Sequence, residues 1–445
     1  MRVLFLSDDC RSSTGVANVA SELIRGFYRK GHVMFQVGCT KPNPPAKVLH
    51  KFDSGEEVTI YQSESLDEVR LLKHAIKDCK PDVLVIINDP WRFYQTWLHA
   101  REIRNLVPIC YLNLWDSDLA PSKDGRSHFN SWIYESCDSL PCISRQTENF
   151  VRNIVARFPE HKRPPISYIP HGQDSTIFKP LHPDEFGDFR AKVFGKREID
   201  FALFFNSRNQ LRKKPSDLIY SFELFCRELT PEQSQRCALL MHTEHVSDVG
   251  TNLGEVVTAL APNRNILLLP QYFTQLELNR LYNIADVVCQ PSNAEGFGIS
   301  VNEAMLAGRP VIATVTGGLQ DQLGVTDDEG RPIAFDETFT SNSCGKFTSH
   351  GQWCKPVFPV AHEIVGSPVT PYLFNDVISH HDLKDAMMFW YKMPRAERDE
   401  MGLKGRQFCL DNNLNSVAMI NNFEKVITDT INNRKPTGLF EIYKA

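Results

Sequence analysis

Short apolar runs recur along this chain with helical stretches between them, and that alternation confines the fold to strands and helices layered on parallel sheets. In the first half the runs are Val3–Leu6, Val33–Val37, Val83–Ile87, Ile109–Leu112, Leu140–Ile143 and Tyr168–Ile169. Helical patterns separate them, such as Val16–Tyr28 and Arg145–Phe158, the latter with Phe150 and Ile154, and Val151 and Val155, four residues apart. Between Ile177 and Ile199 the prolines and glycines Pro180, Pro183, Gly187 and Gly195 break the rhythm. It then restarts with Phe201–Phe205, Ala238–Met241, Ile266–Leu269, Val287–Cys289 and Val311–Ala313. Helices are expected near Pro215–Leu229, Thr274–Ile284 and Ser300–Ala307, and Thr274-Gln-Leu-Glu277 is a capping box. The pattern predicts two α/β units facing each other across a hinge: residues 1–180, a linker over 181–198, and 199–405. An irregular insertion is expected over 324–375, and a helical segment closes the chain over 406–445.

Composition narrows the partners. The 445 residues carry a net charge of −5, so there is no global electrostatic footprint for nucleic acid. The twelve cysteines are scattered without a C-x-x-C pair, which suits reduced, mostly buried thiols. The first apolar run, Val3–Leu6, is shorter than a signal-peptide core, and no run approaches the ~18 residues of a membrane span. A cytoplasmic protein with no integral membrane segment is expected.

The loop after the first run, Asp8-Asp-Cys-Arg-Ser-Ser-Thr-Gly15, has one glycine where a dinucleotide fold needs G-x-G-x-x-G, and no P-loop is present. Gly15 reads either as a plain turn glycine or as part of a loop whose N–H groups face a ligand. The sharpest signal is Pro291-Ser-Asn-Ala-Glu295-Gly-Phe-Gly298-Ile-Ser-Val-Asn-Glu303. A strand ends at Pro291, and Gly296, Phe297 and Gly298 lead into a helix opening near Ile299, whose free N–H groups suit a diphosphate. Glu303, about a turn into that helix, has the geometry to accept from both ribose hydroxyls, and Glu295 to reach the sugar beyond the phosphates. Alternatively Glu295 is a solvated loop residue and Glu303 a dipole partner. Asn206-Ser-Arg208-Asn-Gln-Leu-Arg-Lys213-Lys214 is either a phosphate loop or a solvated basic turn. His242-Thr-Glu-His245 lacks a third metal ligand nearby. Trp91, Phe93, Tyr94 and Trp97 read as core or as an acceptor surface.

The Glu295-x7-Glu303 element, followed by A-x-x-x-G-x-P-V-I-A-T through Thr314, resembles the retaining glycosyltransferases of family 4, which have the GT-B fold. Further matches follow in order: the Gly15 loop, Gly31-His-Val, Ile169-Pro-His-Gly-Gln-Asp174, Arg208 with Lys213, Leu281-Tyr-Asn-Ile-Ala-Asp286 and Gly317-Gly-Leu-Gln-Asp321. The resemblance implies two Rossmann-like, doubly wound α/β domains facing a central cleft, the N-terminal one (1–180) on the acceptor side and the C-terminal one (199–405) binding the nucleotide sugar, with the C-terminal helix crossing between them. It implies transfer of a sugar, with retention, from a nucleotide-diphosphate sugar, UDP or GDP, to an acceptor hydroxyl, with no cofactor. Arg208 and Lys213 are assigned to the leaving diphosphate, with Lys214 a contender for the lysine role. Donor-binding residues are then Gly15, Arg208, Lys213, His242, Glu295, Gly296, Phe297, Gly298, Ile299 and Glu303. The catalytic set is Asp116, Arg208, Lys213 and Glu295. Because Arg, Lys and helix N–H groups can stabilise the leaving group and no D-x-D stands at a strand end, metal-independent hexosyl or pentosyl transfer is expected. Trp115 replaces the histidine that many family members carry before the position of Asp116, with His171 as a fallback. That departure keeps open a catalytically silent nucleotide-sugar binder, and a nucleotide-sugar epimerase is a further alternative. The acceptor is open among glycan, lipid, protein and small molecule, with a modified DNA base a minority reading.

Overall fold

A computed structural model describes residues 1–39, 46–116, 130–331 and 349–434. The chain divides into two compact units. Among the described residues, the first comprises 1–39, 46–115, 130–171 and 416–434, and the second comprises 116, 172–331 and 349–415.

The first unit is built on β1 (Arg2–Asp8), β2 (Val33–Cys39), β3 (Lys47–Lys51), β4 (Glu57–Ser63), β5 (Val83–Ile87) and β6 (Ile109–Leu112), in the order β3-β4-β2-β1-β5-β6. All neighbours are parallel except β3, which pairs antiparallel with β4 at the edge. The inner strands are apolar on both faces because helices cover both: every residue of Val83–Ile87 is buried. Two further short strands, β7 (Leu140–Cys142) and β8 (Ile166–Tyr168), pair in parallel, and β7 is joined to the β6 end through bridges at Ser139 and Cys142. The helix Ser416–Asn432, although last in sequence, belongs to this unit. Its Ile420 lies against Gly26, where a Cβ would come within 2.3 Å of Ile420 Cδ1, and its Phe423 stacks on Phe27.

The second unit repeats the architecture with β9 (Phe201–Asn206), β10 (Cys237–His242), β11 (Asn265–Leu268), β12 (Val287–Gln290), β13 (Val311–Thr314) and β14 (Cys354–Val357), all parallel in the order β11-β10-β9-β12-β13-β14. Phe201, Leu203 and Phe205 on one face of β9 enter a core with Phe222, Phe225 and Trp390. Segment 181–198 lies within this unit and carries the short helix Gly187–Phe194. The region expected to be an irregular insertion is partly regular: β14 extends the sheet, and β15 (Pro359–Ser367) and β16 (Thr370–Ile378) form an antiparallel hairpin. Prolines and glycines hid these strands in the sequence, and 332–348 lies outside the described residues. The chain enters this unit at Gly172 and leaves it at Asn415, and the two run so close that a Cβ on Gly172 would lie 2.2 Å from the Asn415 carbonyl carbon. Asn302 ties both passages, accepting from Gln173 N at 2.9 Å and donating to Leu414 O at 3.0 Å.

Candidate active site

The loops at the carboxyl ends of the second sheet converge, as ligand loops do in open parallel α/β sheets. After β9 a single helical turn, Leu211–Lys213, ends at Lys214 in the left-handed conformation (φ 56°), and Pro215 opens the next helix. This turn directs Arg212 and Lys213 onto the loop after β12. Arg212 accepts from Asn293 N and donates to Ala294 O, both at 2.8 Å. Lys213 Nζ lies 2.5 Å from Glu295 Oε1. The same carboxylate oxygen accepts from Ser292 Oγ at 2.7 Å and Gln290 Nε2 at 2.9 Å, and Arg212 stands 3.8 Å from Oε2. Burial alone raises the Glu295 carboxyl, but the Lys213 and Arg212 charges outweigh it and hold it below its ordinary value. Burial, then the neighbouring Arg212, brings the Lys213 ammonium down to about 8. Asp116, grouped with this unit, is 3.4 Å from Arg212, so the guanidinium stands between two carboxylates.

The turn beyond Glu295 is fixed by close backbone approach. Gly317, at φ 49°, leaves room for the Glu295 carbonyl, which a Cβ would meet at 1.9 Å, and Gly318 N donates to that carbonyl at 2.8 Å. Phe297 is buried, and Gln322 Nε2 donates to its carbonyl at 2.6 Å. Gly298, left-handed at φ 87°, is the cap of the helix Ile299–Leu306, and no side chain bonds to that helix start. Gly296 and Ile299 are half-buried on either side. Together they leave the first N–H groups of the helix as a site for an anion.

One turn into the helix, Glu303 is buried and accepts from Tyr282 OH at 2.6 Å and Asn206 Nδ2 at 3.2 Å. Burial pushes its carboxyl up to about 7, against the pull of those two hydrogen bonds. His242, paired with Asn206 across β10 and β9, faces Asn206 Oδ1 at 2.8 Å and Gln271 O at 3.2 Å. Burial lowers its proton affinity.

The structure thus brings Lys213, Glu295 and Asp116 together around Arg212, and links Glu303 with His242 through Asn206. Arg208 lies apart: it is exposed and reaches Glu244 at 3.4 Å. Gly15 belongs to the first unit, exposed at the start of the helix Gly15–Arg29, whose cap Thr14 accepts from Ala17 N at 3.1 Å. Trp115 and His171 are buried in that unit, and burial brings His171 down to about 3, so it is neutral at physiological pH. Of the four clustered aromatics, Phe93 and Trp97 are core, whereas Trp91 and Tyr94 are exposed. Sequence reasoning missed Arg212, although it is the neighbour of Lys213. It also missed Ser292, Gln290 and Tyr282, ordinary polar residues that only the fold aims at the two glutamates.

Two doubly wound units, with a Gly-rich turn and paired glutamates at the carboxyl edge of the second sheet, define a protein of the GT-B glycosyltransferase fold. The pattern described as Glycosyl transferases group 1 matches residues 249–330. Sucrose-phosphate synthase from Thermosynechococcus elongatus superposes with a TM-score of 0.68 at 16% identity, covering 96% of this chain and 98% of that one. HepE of Anabaena, solved in complex with UDP-glucose, gives 0.65 at 14% identity, covering 96% and 100%. A D-inositol 3-phosphate glycosyltransferase from Pseudarthrobacter chlorophenolicus is 32% identical over 157 residues, 35% of each chain. The chain therefore matches about a third of the length of that relative. The match to the glycosyl transferases group 1 pattern is confined to residues 249–330, within the second unit. No helix among the described residues is long and apolar enough to cross a membrane.

Proposed function

We propose that the protein transfers a sugar, with retention of anomeric configuration and without a metal ion, from a nucleotide-diphosphate sugar, UDP- or GDP-linked, to an acceptor hydroxyl. The observation that carries this reading is the pairing of the half-buried Lys213 with the buried Glu295 beside the uncapped start of the helix that bears Glu303. In this reading Glu303 accepts hydrogen bonds from the ribose hydroxyls, and the N–H groups around Gly298 and Ile299 hold the diphosphate. Lys213 carries positive charge to the β-phosphate as its bond to the anomeric carbon breaks, and Arg208 joins it on leaving Glu244 when the donor binds. Glu295, fixed by Lys213, Ser292 and Gln290, orients the transferred sugar. The acceptor oxygen bonds to the anomeric carbon on the face the diphosphate leaves, and the hydroxyl proton passes to the departing phosphate oxygen. Asp116, held at Arg212, stabilises the cationic sugar. The UDP-glucose bound by HepE supports a UDP donor.

Thermal melting with UDP, GDP, ADP and dTDP in the presence of a chelator tests the donor site. A nucleotide at 100 times its dissociation constant adds about 2.7 kcal/mol. One nucleotide stabilising the wild type but not Glu303→Ala is the expected result; no response to any of the four overturns the reading.

A further inference from the structure

Two glycines, Gly296 and Gly298, bracket Phe297 in the turn that opens the helix Ile299–Leu306, and glycine leaves the peptide planes beside it free to rotate. Which way those planes face decides whether the start of the helix can hold an anion. A trans peptide carries its C=O and N–H on opposite sides, so a group that holds the carbonyl of one residue aims the N–H of the next.

Gln322 holds two such carbonyls in succession. Its Nε2 donates to Phe297 O at 2.6 Å and to Gly298 O at 3.2 Å. Both partners can only accept, so the amide nitrogen faces them and Oε1 points elsewhere. The N–H groups of Gly298 and Ile299 are therefore turned away from Gln322, and among the described residues neither has an acceptor.

Gln322 is itself anchored. It is fully buried at the end of the 3₁₀ helix Gly317–Gln322, and its own carbonyl accepts from Trp353 Nε1 at 3.0 Å. The Trp353 ring packs on Phe408 and lies against Gly324, Gly351 and Gly405, where a Cβ would collide with it. Stability does not account for an amide at this position: Oε1 has no hydrogen-bond partner, a cost that an apolar side chain of the same length avoids. The two bonds from Nε2 are what the amide supplies.

We propose that Gln322 is a positioning residue for the donor diphosphate: its amide aims the N–H groups of Gly298 and Ile299 as a preformed pair of donors, and so sets the affinity for the diphosphate separately from that for the nucleoside. That the anion is a diphosphate rests on the transferase reading above; the aim of the two N–H groups does not.

The chain has three Phe-Gly pairs, ending at Gly187, Gly195 and Gly298, so isotope labelling of phenylalanine carbonyls and glycine nitrogens singles out three amide signals. Titrations of the full chain with inorganic pyrophosphate, UDP and GDP are followed on those signals. Affinities for the same ligands by calorimetry, and for uridine and guanosine by saturation-transfer NMR, are measured in the wild type, Gln322→Met and Gln322→Glu. In the wild type one Phe-Gly amide alone should move downfield with pyrophosphate. In both variants pyrophosphate and the nucleoside diphosphate should bind roughly tenfold or more weakly, while nucleoside affinity stays within about twofold. A merely structural role would weaken nucleoside and diphosphate together. The assignment of Gln322 is overturned if no Phe-Gly amide responds in the wild type, if a folded variant binds pyrophosphate as the wild type does, if nucleoside and diphosphate affinities fall together, or if neither variant folds. Pyrophosphate binding that depends on Gln322, with no nucleotide bound more tightly than pyrophosphate, would overturn the transferase reading and leave Gln322 assigned.

Discussion

Replacing Glu303 by glutamine is expected to stabilise the unliganded protein above neutral pH while removing its response to nucleotide. Burial raises the folded-state carboxyl from 4.5 to about 7, so between those values the folded chain holds a proton that the unfolded chain has released. The associated stability is fully present below 4.5 and is lost as pH rises through about 7. At about 1.4 kcal/mol per pH unit, the wild type at pH 8 is about 3 kcal/mol less stable than it would be with a neutral group there. Glutamine keeps an oxygen to accept from Tyr282 and Asn206 but carries no charge to desolvate. For a domain of this size about 3 kcal/mol corresponds to a rise in Tm of roughly 5–10 °C. Calorimetric melts of wild type and Glu303→Gln at pH 5 and pH 8 measure it. The gap should be wide at pH 8 and nearly closed at pH 5, and the stabilising nucleotide at about 1,000 times its dissociation constant, adding about 4.1 kcal/mol to the wild type alone, should reverse it. A Glu303→Gln protein that melts below the wild type at pH 8, or that responds to nucleotide as the wild type does, would show that the Glu303 carboxylate neither destabilises the free protein nor holds the nucleotide.

Other residues of the site give further expectations. Because the Lys213 ammonium titrates at about 8, nucleotide affinity should weaken as pH rises through that value, by up to about tenfold per pH unit, and Lys213→Met should flatten the profile in titration calorimetry. A steep profile retained in Lys213→Met would assign the pH dependence to another group. Gly317→Ala places a Cβ 1.9 Å from the Glu295 carbonyl at a left-handed position, so a loss of roughly 2–4 kcal/mol in urea melts is expected together with a lost nucleotide shift. Wild-type melts in that variant would show that the turn relaxes freely. Arg212→Lys keeps a charge but loses the planar group that reaches Ala294 O, Glu295 and Asp116. It should lower kcat by about tenfold or more while changing the donor KM little. An effect on KM alone would place Arg212 in binding rather than in arranging the two carboxylates.

The inner strands were legible because their composition is dictated by burial on both faces. Val83–Ile87 and Ile109–Leu112 coincide with the observed strands, and Phe201–Phe205 differs by one residue. Edge strands were not. Lys47–Lys51 alternates exposed and half-buried residues, and Pro359–Ser367 and Thr370–Ile378 pair only with each other, so neither region shows a continuous apolar run. Local signals also served at the site, where Gly298 does occupy the left-handed cap before the helix of Glu303. What the sequence could not give was the pairing of distant loops. Arg212 and Glu295, far apart in the chain, meet only because β9 and β12 are neighbours in the sheet. Likewise Arg208, beside Lys213 in sequence, turns to Glu244 because a helical turn separates their directions.

Retaining transfer from a nucleotide-diphosphate sugar is followed most directly by proton NMR with UDP-α-glucose and GDP-α-mannose, water or maltose serving as acceptor and a chelator present. Release of one nucleotide diphosphate is expected, with a product that first appears as the α anomer, and both are lost in Glu295→Ala. A product that first appears as the β anomer, or turnover that survives in Glu295→Ala, would contradict it.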